Sequence, residues 1–395
     1  MRNFYLNISM AVPYWRLSSF YLCYFATLGS FIPYWSLYLK ENGFNPAEIG
    51  ELSALLVGIK IIAPNLWGWI GDHTRKNLRI IRWTSFFAAL LFARFLAIHN
   101  YVEFACLTIG FSFFWNAPLP LYEATTLSHL QSDSHRYSRI RLWGSVGFIL
   151  TVAGVGKLLD SQPILLLPIV ITALLALTWL TTLATPESRS VSHDRGPIRL
   201  ASIIRKPEVL AFLLVYMLIQ FAHAPYYVFY SIYLKQHLYS TTTTGLLWSL
   251  GVIAEIVLFL FMKSLLTRYS LRGILLTSLI FAILRWVLIG GYVDNPVLLI
   301  VAQLLHAATF GGTHIAAIHF VHRYFDQQHQ SKGQALYHSL SFGLGGMLGS
   351  LLSGYYWESL GSHVIYSAAA LSCGVAFVIA YIWVGRRDSL SLRKA

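Results

Sequence analysis

Residues 250–262 read LGVIAEIVLFLFM, a run of large apolar side chains with one carboxylate, Glu255, set into its middle. The run decides the fold because windows of its kind recur along the chain, near 16–39, 48–70, 80–98, 102–127, 139–158, 162–184, 208–234, 244–266, 273–292, 296–320, 333–356 and 363–384. Each is close to the ~20 mostly apolar residues that cross a hydrocarbon core of about 30 Å. Composition agrees: 56% of the 395 residues are hydrophobic and 11% charged, under half of the ~25% charge that a soluble surface needs. Helices satisfy their own backbone in lipid, so the expected class is an all-α integral membrane protein of twelve transmembrane helices.

The net charge of +13 is distributed by side rather than by patch. With an even number of spans, both termini lie on one face. Of the 29 Lys and Arg, Lys60, Arg94 and Arg285 fall within spans and Lys40, Lys157 and Lys235 on the opposite face, leaving 23 beside the termini. That asymmetry is the positive-inside pattern and places both termini in the cytoplasm. It explains the basic excess without nucleic acid. Cys23, Cys106 and Cys373 are isolated in apolar segments, which excludes a disulfide framework or zinc spacing. The N-terminal MRNFYLNISM has no apolar core followed by a cleavage site, so the first span is expected to be retained.

The longest polar interval, 185–208, separates six windows from six. The expected division is an N-terminal six-helix bundle over 1–186, a cytoplasmic linker over 187–206, and a C-terminal six-helix bundle over 207–395. The halves repeat. SLYLK at 36–40 returns as SIYLK at 231–235, and the same offset of 195 puts Gly50 on Gly245 and Lys60 on Glu255. Parallel repeats of this kind form two pseudo-symmetric bundles with a substrate site near the midplane between them. A charge at that depth costs a few kcal/mol or more and persists mainly where it faces a bundle interior or wet cavity. Lys60 and Glu255 are therefore candidates for function.

Three further clusters carry polar chemistry. In FAILRWVLIGG and QLLHAATFGGTHIAAIHF, Arg285 stands near the depth of His306, Thr309, Thr313 and His314. Residues 306, 309 and 313 share a helical face, and histidine titrates where a proton relay needs it to. His314, His319 and His322 lack a carboxylate or Cys and make a poor metal site. On the seventh helix, His223, Tyr226, Tyr227 and Tyr230 form one stripe beside Pro225, which would loosen the helix locally. The third cluster is Glu123 and Arg141, 18 residues apart across a short loop, with Asn116 seven residues before Glu123. This pair is expected to meet in a bidentate contact. Near them Asp72, Arg75 and Lys76 of IGDHTRKNL form a candidate conformational latch. No phosphate-binding glycine loop or metalloprotease motif occurs. An ion gradient, not ATP, is the expected energy source, and neither enzyme activity nor a cofactor is expected.

These motifs resemble those of major facilitator superfamily transporters. IGDHTRKNL resembles their loop signature without its second glycine. YEATT followed by RIRLWGSVGF resembles the sugar-binding Glu and Arg of the lactose permease family of oligosaccharide/proton symporters, and LRWVLIGG and LLHAATF resemble its ninth-helix Arg and tenth-helix His. IPYWSLYLK, RLWGSVGF, LLWSLGVIAE, LRWVLIGG and QLLHAATFGGTHIAA are similar to the phenylpropionic acid transporter branch, nearly end to end. One departure is informative. The lactose permease type carries its coupled proton on a tenth-helix Glu one turn after the His, and that position here is Thr309.

The expected function is therefore proton-coupled symport of a small organic acid, an arylpropionate such as 3-phenylpropionate, across a bacterial inner membrane by a monomer. Proton coupling falls to Glu255, His306 and Arg285, with Lys60 or Arg285 as the cation that drives proton release from Glu255. Substrate binding falls to Glu123, Arg141, Lys60, His223, Tyr226, Tyr227, Asn116 and His314. The partners are the small-molecule substrate, protons and the lipid bilayer. The alternative substrate is a sugar or nucleoside. A receptor or lipid-modifying enzyme is disfavoured, since no nucleophile constellation is present.

Overall fold

The structure, a computed structural model, describes residues 12–98, 100–131, 133, 136–187, 203–326 and 329–385. Among them, ten helices are long and apolar enough to cross a membrane. The last of the ten, Gln330–Trp383, is divided at Gly361, whose φ of 80° is left-handed backbone that glycine adopts without strain. Adding the first helix, Tyr14–Phe31, gives twelve spans.

We number them α1 (Tyr14–Phe31, continued by Trp35–Glu41), α2 (Pro46–Thr74), α3 (Asn77–Ala97), α4 (Tyr101–Leu130), α5 (Tyr137–Ser161) and α6 (Ile164–Ala184). The second six are α7 (Pro207–Gln236), α8 (Thr241–Arg268), α9 (Leu271–Gly291), α10 (Pro296–Tyr324), α11 (330–360) and α12 (362–383). Most of the sequence-derived linker, 188–202, lies outside the described residues.

Local sequence sets the starts. Asn45 and Glu48 form a reciprocal capping box, with Pro46 in the first turn of α2. Ser240, Ser270 and Asn295 cap α8, α9 and α10 through their side-chain oxygens.

The sequence repeat is visible in the packing. α1 lies along α5, and in the second half α7 lies along α11. The halves meet in two more pairs of the same kind, α2 with α11 and α5 with α8. The residues that the offset of 195 equates, Gly50 and Gly245, sit in these two crossings. A Cβ on Gly50 would stand 2.7 Å from the Cα of Gly354 and from the carbonyl of Ser350. A Cβ on Gly245 would meet the Tyr34 hydroxyl and the Val152 carbonyl, the latter at 2.7 Å. Close approach of two backbones in lipid needs small residues at the seam.

Both crossings belong to one end of the molecule, the end away from the linker. There Lys235 Nζ is 3.1 Å from Glu41 Oε1, Glu51 accepts from the hydroxyls of Tyr101 and Tyr355, and Asp160 accepts from the amides of Thr241 and Thr242. Nearer the linker the halves touch where Ile59–Ile61 and Asn65 meet Ser339–Gly345; beyond that, among the described residues, none of Pro118–Leu130, Thr313–Tyr324 and Gln330–His338 makes an extended contact with the other half. The space between the halves is therefore closed at the far end and opens toward the linker side.

The helices are irregular at definite places. A 3-10 turn interrupts α2 at Ile59–Ile61, α4 breaks at Asn116 and Ala117, and π-helical turns occupy Ala307–Gly312 of α10 and Ser339–Gly345 of α11. Non-α backbone at membrane depth is tolerated where protein or a cavity surrounds it, and π turns gather at functional sites. The loosening expected at Pro225 does not occur: α7 runs unbroken from Pro207 to Gln236. Its Pro lacks one N–H, and this stretch of the helix is buried on both sides.

Candidate functional site

In the first half, the fold brings α1, α4 and α5 together around Arg141. Its Cζ lies 3.8 Å above the Phe25 ring and 5.8 Å from Tyr21, and Tyr24 stacks on Trp115 at 4.2 Å, nearly coplanar. The expected bidentate pair is corrected here. No ion pair joins Glu123 and Arg141, because the guanidinium sits over Phe25 while Glu123 faces the Tyr137 hydroxyl. The charge of Arg141 is felt by Glu123 and, across the space between the halves, by Glu255. Asn116 is turned back into its own helix break, where it donates to the Ser112 carbonyl at 2.7 Å and hydroxyl at 2.9 Å.

In the second half, α7, α8, α9 and α10 converge on Arg285. It is fully buried. Nε donates to the Ala302 carbonyl at 3.1 Å and Nη1 to the Thr309 hydroxyl at 3.3 Å. Its Cζ lies 4.3 Å from the Tyr226 ring and 4.6 Å from Trp286. Thr309 also donates to the His306 carbonyl at 3.3 Å, so a neutral hydroxyl occupies the place beside Arg285 where the lactose permease type has its acid. His306 Nε2 is 3.9 Å from Glu255 Oε2, and its ring is parallel to Phe310. Gly311 permits this approach, since a Cβ there would stand 3.1 Å from Glu255 Cγ.

The seventh-helix stripe faces the bundle and not the lipid. Tyr226 donates to Gln303 Oε1 at 2.9 Å, and Gln303 Nε2 donates to Tyr230 at 2.8 Å, all three side chains being buried. His223 packs edge-on to Trp286, with Nδ1 2.8 Å from the Ile219 carbonyl. Tyr227 lies between His223 and Trp248.

The structure separates other expected partners. Glu255 is met by His306, and among the described residues no ion pair joins it to Lys60 or Arg285. Lys60 is exposed on the 3-10 turn of α2, which packs against the π turn Ser339–Gly345 of α11. His314 belongs with Tyr337, 3.4 Å from its hydroxyl, about two turns of α10 away from His306. His319 and His322 are exposed and do not converge with it on a metal. Asp72, Arg75 and Lys76 stand exposed at the linker-side end of α2, with Arg75 in left-handed backbone as the C-cap.

Several residues of the site escaped the sequence reading. Gln303, a lone amide in LLIVAQLLHAATF one turn before His306, was a visible signal. Phe25, Trp248 and Trp286 gave none, because an aromatic side chain in an apolar span reads as packing until its neighbours are known.

The model of the MFS_1 like family matches residues 14–368. The "Probable 3-phenylpropionic acid transporter" of Escherichia coli (strain K12) is 32% identical over 374 residues, covering 91% of this chain and 95% of that protein. The maltose permease of Geobacillus stearothermophilus is 26% identical over 386 residues, covering 93% and 94%. Among solved structures, the nucleoside transporter NupG superposes with a TM-score of 0.81 at 18% identity, over 94% of this chain and 98% of that one. A bacterial homologue of the human lysosomal transporter Spinster, inward-facing and unoccupied, gives 0.63 at 14% identity, over 94% and 96%.

Proposed function

The chain belongs to the MFS_1 like family of membrane transporters, and from that premise we propose that it is a proton-coupled symporter of a small organic acid, an arylpropionate such as 3-phenylpropionate. The observation that carries this reading is the contact of Glu255 with His306 at the edge of the space between the halves. A carboxylate and an imidazole 3.9 Å apart can pass a proton between them. Arg141 acts on Glu255 from the other half through space, an influence that changes whenever the halves move. An anionic substrate follows from the charge balance at depth. Lys60, Arg141 and Arg285 outnumber Glu123 and Glu255, and stacked aromatic rings line both halves. The similarity to the Escherichia coli protein agrees with that substrate class.

We further propose the bundles as 1–186 and 207–395, the linker 187–206 with both termini in the cytoplasm of a bacterial inner membrane, and a monomer as the working unit, since both half-sites lie in one chain. Asp72, Arg75 and Lys76 serve as the latch of the linker-side end. A second reading, a sugar or nucleoside symporter, is favoured by Arg141 over Phe25 beside the Tyr24–Trp115 stack, a platform that a neutral ring also fits. Proteoliposomes under an inward proton gradient separate the two. Accumulation of labelled 3-phenylpropionate that collapses with a protonophore supports the first; accumulation of maltose or uridine in its place supports the second.

A further inference from the structure

Resting on that reading and going one step deeper, we infer that the substrate's carboxylate is seated on Arg285, between Tyr226, His223 and His306 of the second half, and not on Arg141. A guanidinium is charged at any physiological pH and offers five donors in a planar fork. Here Nε and Nη1 are used on neutral acceptors, and Nη2 has no partner. Among the described residues no carboxylate contacts this side chain, although it has 0% exposure. A buried cation without a counter-charge is strongly unfavourable, so the site is built for an anion that comes and goes.

A buried ring nitrogen beside it, His306 Nδ1, also lacks a partner, while His223 donates from Nδ1 to the Ile219 carbonyl and presents its ring as an apolar wall. The three side chains share one aromatic enclosure. The Tyr226 ring is 4.3 Å from Arg285 Cζ and 6.1 Å from the His306 ring, and Trp286 is 4.6 Å from Arg285 Cζ and 4.9 Å from the His223 ring. A pair of oxygens bearing one negative charge, attached to a flat apolar body, matches this set. Arg141 is the poorer seat because its charge is already shared between Glu123 and Glu255.

The placement also joins binding to coupling. His306 has its bare Nδ1 on the side chain that neighbours Arg285 and its Nε2 toward Glu255, so an anion on Arg285 is one imidazole away from the proposed proton carrier. The seat is shut in this conformation. His306, 7% exposed, is its edge, and the π turn Ala307–Gly312 follows directly. A π turn holds one residue more than α geometry needs, which gives α10 a place to shift and admit the anion.

The test is thermal unfolding of the purified full-length protein with 3-phenylpropionate and with uncharged 3-phenylpropionamide. A ligand that binds only the folded state raises the melting temperature. Wild type is expected to respond to the acid and not to the amide. Arg285→Gln should need about tenfold more acid or show no shift, the loss expected for a charge-assisted hydrogen bond, a larger loss than that of Arg141→Gln. If Arg285→Gln does not fold, Arg285→Lys serves; it keeps the charge without the fork and should lose part of the shift. A full response in Arg285→Gln with a lost one in Arg141→Gln overturns the seat. So does recovery of the response in the Arg285→Gln/Glu255→Gln double variant, which would make Glu255 the anion that Arg285 awaits. No response of wild type to any aromatic acid removes the substrate class itself, a separate failure.

Discussion

Asp160, in the last turn of α5, accepts the backbone N–H of Thr241 at 2.8 Å and of Thr242 at 3.1 Å, and both threonine hydroxyls as well. A carboxylate from one half thereby caps the first turn of a helix in the other, α8, where the orphan amides and the positive end of the helix dipole favour it. The contact exists only while the far end is closed. It is therefore a difference between conformations, and only such differences shift their populations.

Asp160→Ala should remove about 1–2 kcal/mol from the closed far end and raise the population open on that side roughly tenfold. Spin labels at Gln162→Cys and Leu238→Cys, in a background without the three native cysteines, read the change as a longer-distance component. An unchanged distance distribution would show that Asp160 is a local cap with no part in closure.

The glycine seam predicts a stronger version. Gly50→Val puts a branched side chain where a single Cβ would already be 2.7 Å from the backbone of Gly354. Backbone cannot yield as a side-chain tip can, so α2 and α11 must part. Transport should be lost with folding kept, and the same label pair should report a far end that no longer closes. Gly50→Ala with normal transport would mean that the seam tolerates more than its geometry implies.

How much of this was legible depends on which interactions run along the chain. Helix identity and the repeat were readable, because lipid imposes a length and a polarity on each span, and SLYLK and SIYLK mark the offset. The equivalence of Gly50 and Gly245 survives as the two crossings. The equivalence of Lys60 and Glu255 does not survive as a pair, since a 3-10 turn re-aims Lys60 while α8 runs unbroken through Glu255. The Lys235–Glu41 contact joins the halves across 194 positions, and no spacing rule reaches that far. The acids of the far end were passed over for a different reason. Orientation is read from Lys and Arg, whereas Glu41, Glu51 and Asp160 do the sealing.

Arg141 is predicted to be needed for shape as well as charge. Its guanidinium carbon sits 3.8 Å over the Phe25 ring, a contact an ammonium reproduces poorly. Arg141→Lys should lower transport about tenfold or more while the protein stays folded, and Glu123→Gln should do so less severely, since no ion pair joins the two. Initial uptake rates in proteoliposomes check both. Normal uptake by Arg141→Lys would reduce this residue to a packing element.

The proposed orientation is tested without any substrate. Reporter fusions after Arg205 and at the C-terminus should both read as cytoplasmic, as the basic residues beside the linker and tail require. A periplasmic signal at either place would invert the molecule, and the closed end described above would then be the cytoplasmic one.

The remaining prediction concerns Glu255. Its neighbours set two opposing demands: dry walls favour the neutral acid, and a nearby cation favours the carboxylate. In this conformation Arg141 is that cation, and His306 is the group in reach to exchange the proton. Arg141 belongs to α5 and Glu255 to α8, so motion of one half against the other changes their separation while His306 stays with Glu255 in the same bundle. Opening at the far end should carry Arg141 away and leave the acid protonated; closing there should bring it back and release the proton toward the linker side. Glu255→Gln fixes the protonated form. Accumulation driven by a proton gradient should then vanish, while exchange of labelled for unlabelled substrate, which moves no net proton, should persist at a comparable rate. Loss of both would make Glu255 a binding or structural group. Retained uphill accumulation would remove it from coupling, and His306→Gln would be the variant to examine in the same two assays.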